Sequence, residues 1–164
     1  MNVAIVKYNA GNILSVTYAL ERLGVSAVVT DNVELLQKAD RVIFPGVGEA
    51  STAMTYLKER NLDTVIKSLE QPVLGICLGM QLLCSFSEEN NTPCLSVFDE
   101  SVVSFLPNGT DKIPQVGWNT ISEYGSPLFN GLAPDAYCYF VHGYYAALGP
   151  DTTATTHYIL PYSA

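Results

Sequence analysis

Charge is scarce in this sequence. Only 15% of its 164 residues are Asp, Glu, Lys or Arg, and 8 basic residues stand against 16 acidic ones, a formal net charge of −8. No run of Lys and Arg forms a basic patch, which argues against nucleic acid or an anionic membrane surface as a partner. Histidine is scarcer still, with His142 and His157 as the 2 copies. The cysteines, Cys77, Cys84, Cys94 and Cys138, form no C-x-x-C pair, and no histidine lies at zinc-finger spacing from them. Neither a metal nor a cofactor is therefore expected, and a reduced, cytoplasmic setting is the natural reading. No apolar run is long enough to span a bilayer, and Met1-Asn2-Val3 runs straight into a strand-like segment rather than a signal peptide. What is present is apolar bulk. Hydrophobic residues make up 48% of the chain, enough for a core buried between a sheet and helices in a single domain over 1–164.

The first half alternates strand and helix. Asn2 to Val6 reads as a buried strand. Ile13, Val16, Leu20 and Leu23 recur at helical spacing until Gly24 stops the helix. Val25 to Thr30 is a second strand, Leu35 and Leu36 belong to a short helix, and Arg41 to Phe44 is a third strand ending at Pro45-Gly46-Val47-Gly48. Helical stretches over 50–59 and 62–69 lead to a fourth strand, Val73 to Ile76, and a helix running to about Phe86. This order predicts a mostly parallel sheet with helices on both faces, an α/β fold in which sites form at the carboxyl ends of strands. The second half reads differently. Val102 to Leu106, Thr120-Ile121, Tyr137 to Ala146 and Thr152 to Tyr158 are strand-like, and are expected to add antiparallel strands at the sheet's edge.

One stretch carries chemistry. Gly75-Ile76-Cys77-Leu78-Gly79 places a cysteine between glycines at a strand-to-helix corner, the nucleophile-elbow pattern with sulfur in place of a hydroxyl. Side chains at the flanking positions would collide with neighbouring backbone, and the helix opening at Leu78 would favour the thiolate. The plain alternative is a small buried cysteine between two packing glycines. Thiolate attack on a carbonyl also needs donors for the developing oxyanion. The Leu78 amide is one, and the turn Gly46-Val47-Gly48 offers another. Both glycine turns close strands, so they are expected to lie side by side.

These residues together form a recognisable set. Gly75 to Gln81 with Pro45 to Gly48 resembles the class I glutamine amidotransferases, which implies their flavodoxin-like α/β fold. Ile113-Pro114-Gln115-Val116-Gly117-Trp118-Asn119, Tyr139-Phe140-Val141-His142-Gly143-Tyr144, the opening Tyr8-Asn9-Ala10-Gly11-Asn12 and Ser87-Glu88-Glu89 resemble, within that class, the glutaminase subunits of imidazole glycerol phosphate synthases. The resemblance implies that Cys77 attacks the carboxamide of glutamine, and that Val47, Gly48 and Leu78 line the oxyanion hole. It further implies that Gly46, Gln81, Glu89, His142, Gly143 and Tyr144 hold the amino-acid part. Asn12, Pro114 and Trp118 would face a (β/α)8-barrel cyclase partner that receives the ammonia. Without the resemblance, a lone Trp would be read as core.

The family's late His-Pro-Glu motif, its base and orienting acid, has no match here: the sequence reads Leu160-Pro161-Tyr162-Ser163-Ala164 at its end. Neither His142 nor His157 is followed by Pro-Glu, so no catalytic His or Glu is assigned. The expectation is a glutaminase of low activity with an exposed sheet edge. Glutaminases serving anthranilate, aminodeoxychorismate or guanylate synthesis, a non-catalytic binding module, and a small thiol hydrolase remain the alternatives.

Overall fold

The computed structural model describes residues 1–9 and 12–164. Ala10 and Gly11 of the opening motif lie outside the described residues. Four strands, β1 (Val3–Val6), β2 (Ala27–Thr30), β3 (Arg41–Gly46) and β4 (Val73–Cys77), form a parallel sheet in the order β2-β1-β3-β4. Between them run α1 (Ile13–Arg22), α2 (Val33–Lys38), α3 (Ala50–Glu59) and α4 (Leu62–Lys67), and α5 (Leu78–Leu83) follows β4 directly. The helix starts follow from local chemistry. The Asn12 side chain accepts from the Ser15 amide at 3.3 Å and that of Asn32 from Leu35 at 3.1 Å, each satisfying an amide that the helix cannot. Past α1, Gly24 takes φ +71, the left-handed stop its position predicts.

The alternation of strand side chains divides the core in two. Ala4, Val6, Val42 and Phe44 point into the larger cluster with Leu36, Leu57, Leu62 and Leu82, each Leu at most 1% exposed. Burying each of these leucines is worth about 1.5–3 kcal/mol. Val3, Ile5 and Ile43 point the other way, under Ile13, Val16 and Leu20 of α1. Over β4 that second face is thinly covered, since Leu74 and Ile76 stay 38% exposed, and Leu23 at 76% contributes nothing to the core. Among the described residues no strand pairs with the outer side of β4.

The strands of the second half are antiparallel in the main, as their pattern suggests, but they build separate sheets rather than extending β4. The remaining elements are β5 (Phe86–Ser87), a 3-10 turn over Glu89–Asn91, β6 (Thr92–Pro93), β7 (Ser101–Ser104), β8 (Gln115–Thr120), β9 (Tyr137–His142), β10 (Tyr144–Ala146), β11 (Thr155–Tyr158) and β12 (Leu160–Ser163). Six of them make a mixed sheet in the order β11-β12-β10-β7-β5-β6, while β8 and β9 pair alone. The long β-prone run 137–146 is thus two strands. Gly143 is where the chain passes from β8's partner to β7's, with its carbonyl taken by the Phe105 amide at 3.1 Å. The helix after the elbow stops at Leu83 rather than at Phe86. The amides of Leu95, Val97 and Phe98 take the carbonyls of Leu82 and Leu83, so a distant loop ends what the local sequence would continue.

Candidate active site

Cys77 ends β4 and caps α5. Its backbone stands at φ 55 and ψ −120, a region that costs a non-glycine residue about 1–3 kcal/mol and persists only where the surroundings enforce it. The enforcement is visible on both sides. A Cβ at Gly79 would stand 1.8 Å from the Phe44 carbonyl oxygen, and one at Gly75 would stand 2.7 Å from the Met80 Cα. Helix α5 can therefore lie this close to β3 and β4 only through glycines, and the corner sharpens until Cys77 is left exposed at its tip.

The register of the sheet brings the second glycine turn alongside. Gly46 is the ladder partner of Cys77, the last pair of β3 and β4. Immediately beyond, Val47 is half exposed and Gly48 adopts φ +100. Gly46 is buried, and a side chain there would meet the Gly79 amide and the Leu78 Cβ within 3 Å. The candidate nucleophile and the two candidate oxyanion donors thus sit at adjoining strand ends. The Leu78 amide reaches the sulfur and favours the thiolate, but desolvation is the larger effect and the Cys77 pKa lies above the usual thiol range. The contribution expected of the elbow helix is therefore present but outweighed. Six residues of helix supply a modest dipole, and the protein on the inner side of the sulfur removes more water than that dipole replaces. The consequence is testable. Alkylation of Cys77 should accelerate steadily with pH to beyond the ordinary thiol value of about 8.5, because the thiolate fraction at pH 7 is smaller than in a free cysteine. A rate already flat at pH 7 would contradict it.

The residues expected to hold an amino acid fall into two groups. Gln81, His142 and Tyr144 line one cavity with Cys77, about 340 Å³ in volume and walled chiefly by apolar groups. They are joined at one atom: the Tyr144 carbonyl accepts from Gln81 Nε2 at 2.9 Å and from His142 Nδ1 at 2.7 Å. With Nδ1 donating, the other nitrogen of His142 is the basic one, and it lies 3.2 Å from the Tyr162 hydroxyl, which also contacts Gln115 Oε1 at 2.8 Å. Burial holds the His142 pKa below its usual value. Among the described residues no imidazole and no carboxylate hydrogen-bonds the Cys77 sulfur, and His157 is exposed on β11. Glu89 lies apart from that cavity, on the 3-10 turn, where its carboxylate accepts the Ala50 amide at 2.7 Å at the start of α3, just past the glycine turn. The structure also brings in residues that the sequence did not single out. Tyr8 is buried with its hydroxyl on the Pro45 carbonyl at 2.7 Å, and Tyr162 stands beside His142. The motif that opens at Tyr8 marks no role for it, and nothing local marks Tyr162, since both act across long sequence separations.

The candidate partner residues are all exposed: Asn12 as the cap of α1, Pro114 before β8, and Trp118 on β8 at 69%. Trp118 is thus no core residue. Register pairs Val116 with Val141 and Trp118 with Tyr139, so these four share one face, each more than half exposed, with the Trp118 and Tyr139 rings 5.4 Å apart. The i, i+2 alternation in 116–118 and 139–141 is the sequence signal for this face. Pro114 connects it to the substrate segment, its Cβ lying 3.9 Å from where a Gly143 Cβ would stand. Cys84, by contrast, is a core residue at 2% exposure, its thiol pushed up to about 12 by burial first and by the charges of Glu100 and Cys94 next.

Comparison with known proteins agrees with this arrangement. The family described as "Glutamine amidotransferase class-I" matches residues 5–159. The imidazole glycerol phosphate synthase subunit HisH of Bacteroides fragilis is 59% identical over 165 residues, covering 100% of this chain and 84% of that protein. The HisH subunit of Vibrio cholerae is 44% identical over 170 residues, covering 99% of this chain and 83% of that protein. A crystal structure of a glutamine amidotransferase superposes with a TM-score of 0.71 at 19% identity over 98% of this chain and 87% of that one, which speaks to the fold. With its elbow, its glycine turn and this level of identity, the chain belongs to the class I glutamine amidotransferases, on the branch of the imidazole glycerol phosphate synthase subunit HisH.

Proposed function

We infer that this protein is the glutamine-hydrolysing subunit of an imidazole glycerol phosphate synthase, serving histidine biosynthesis. The observation that carries the reading is the strained elbow at Cys77 held in register with Gly46 at the head of the glycine turn. In this reading the Cys77 thiolate adds to the carboxamide carbon of glutamine, and the C–O electron pair moves onto oxygen. That oxyanion is met by the Leu78 amide and by the amide of Gly48 or Val47, which stabilise the charge as it develops. Collapse of the adduct breaks the C–N bond, the nitrogen takes a proton, and ammonia leaves a thioester on sulfur. Water then adds to the thioester, releasing glutamate and restoring the thiol. Gly46, Gln81, Glu89 and the segment His142–Tyr144 are assigned to the amino and carboxylate groups of the substrate.

The ammonia is assigned to a (β/α)8-barrel cyclase as partner, docking over Asn12, Pro114 and Trp118. Support comes from the exposed apolar face around Trp118, an arrangement costly to leave in water and enriched in the residue types that anchor interfaces. The test has two parts. A chloroketone analogue of glutamine should label Cys77 and no other cysteine, and labelling spread over the exposed Cys138 as well would undo the assignment. Trp118→Ala should weaken binding of the cyclase about 30-fold, the cost of about 2 kcal/mol for a truncated aromatic anchor, with the fold intact by circular dichroism. Unchanged affinity would move the interface elsewhere.

A second reading is favoured by one observation. With no base or acid bonded to the Cys77 sulfur among the described residues, the polypeptide 1–164 can bind glutamine and the cyclase while turning glutamine over slowly.

A further inference from the structure

Side chains tie down both ends of the glycine turn and leave its middle free. Ladder pairing between β1 and β3 ends at Ile5 and Ile43, yet β3 runs on to Gly46. Beyond that point the Tyr8 hydroxyl takes over, donating to the Pro45 carbonyl at 2.7 Å. Tyr8 is 5% exposed and its ring packs 5.3 Å from that of Phe44, so the donor is fixed in place. Burial, and then the nearby charge of the Cys77 thiolate, push the phenol well above its usual range, and it remains a donor wherever the protein works. Past the turn, the Glu49 carboxylate accepts from Asn90 Nδ2 and from the hydroxyls of Ser51 and Thr52, the last at 2.8 Å. Between these ties, Gly48 has nothing within 4 Å of a would-be Cβ. A turn free in the middle and held at both ends has few orientations open to its amides.

We propose that Tyr8 is a positioning residue for glutamine hydrolysis: its hydroxyl on Pro45, with the Glu49–Asn90 contact on the far side, orients the turn so that the Val47 or Gly48 amide meets the oxyanion formed at Cys77. The proposal rests on the reading that this turn supplies the second oxyanion donor. Tyr8 touches no reacting atom. It acts by narrowing the orientations of the turn before substrate arrives, and a donor already aimed costs no reorganisation during reaction.

Two electrophiles separate this role from a structural one. Addition of the Cys77 thiolate to the carbonyl of a chloroketone analogue of glutamine develops an oxyanion. Iodoacetamide reacts by direct displacement of iodide, with no oxyanion. Tyr8→Phe, which deletes one oxygen and keeps the ring, should slow the chloroketone about 10-fold, the effect of an ill-aimed donor, and leave the iodoacetamide rate unchanged. Asn90→Gly, which keeps the left-handed φ of 52 at that position, should do the same. Should Tyr8→Phe fail to fold, Asn90→Gly at its exposed site decides. Equal slowing of both reagents, or of neither, overturns the proposal. Val47→Pro deletes one candidate amide, and Gly48→Pro deletes the other while also forcing the turn off the φ of +100 at Gly48, so slowing by either counts only where the iodoacetamide rate holds. If neither slows the chloroketone, the oxyanion assignment itself has failed. If one does while Tyr8→Phe does not, only the role of Tyr8 is lost.

Discussion

Mixed with a partner cyclase and glutamine, the polypeptide of residues 1–164 should release glutamate about 10²–10⁴-fold more slowly than its Bacteroides fragilis relative. Burial holds the Cys77 pKa above the ordinary range, so at pH 7 little of it is thiolate. The sign is that of a group whose charged form is disfavoured: reactivity is low at neutral pH and rises as pH climbs toward the shifted value. Both histidines are engaged elsewhere or exposed. His142 spends its Nδ1–H on the Tyr144 carbonyl and faces Tyr162 with its other nitrogen, and His157 lies on β11. Among the described residues no group is placed to give a proton to the departing nitrogen, which as an amide anion is a very poor leaving group. Added imidazole should restore part of the rate, since it supplies in solution what the sulfur lacks nearby. A steady-state glutamate assay reads both effects, and turnover within a few-fold of the relative would overturn the account.

Gly79→Ala should destabilise the protein by roughly 3 kcal/mol or more, at the upper end of what overpacking costs. The new methyl would lie 1.8 Å from the Phe44 carbonyl oxygen and 2.7 Å from its carbon, both backbone atoms of a central strand. No rotamer change relieves such a contact, so α5 must lift from β3. Lifting α5 also uncovers Leu78 and Leu82, which are 2% and 0% exposed, and relaxes the strained φ of Cys77. Urea unfolding measures the loss, and a midpoint shift corresponding to under 1 kcal/mol would show that the elbow is looser than its geometry indicates. Gly48→Ala makes the contrast, because open space surrounds that position and only its φ of +100 resists the change. Its cost should be about 1 kcal/mol.

Much of the site was legible before any coordinates, for reasons that lie in particular residues. Gly-x-Cys-x-Gly is a short-range pattern whose purpose is local, a tight corner, so it can be read from five letters. The parallel sheet followed in the same way, since each strand of the first half is a short apolar run and each crossover is helical, the first two capped by Asn12 and Asn32. The second half was less legible. The run 137–146 has one continuous strand propensity, and its division at Gly143 depends on β8 and β7 competing for different parts of it. The end of α5 depends on a loop more than ten residues away.

By itself, then, the sequence determined the elements of the first half, the cysteine elbow and the glycine turn, because those are set by spacing and backbone sterics within a few residues. Only the tertiary structure decided that Gly46 pairs with Cys77, that Tyr8 reaches Pro45 across 37 positions, that Trp118 faces solvent, and that desolvation outweighs the helix amide at the sulfur. Strand register, burial and dielectric surroundings are properties of atoms brought together from distant parts of the chain, and no local pattern encodes them.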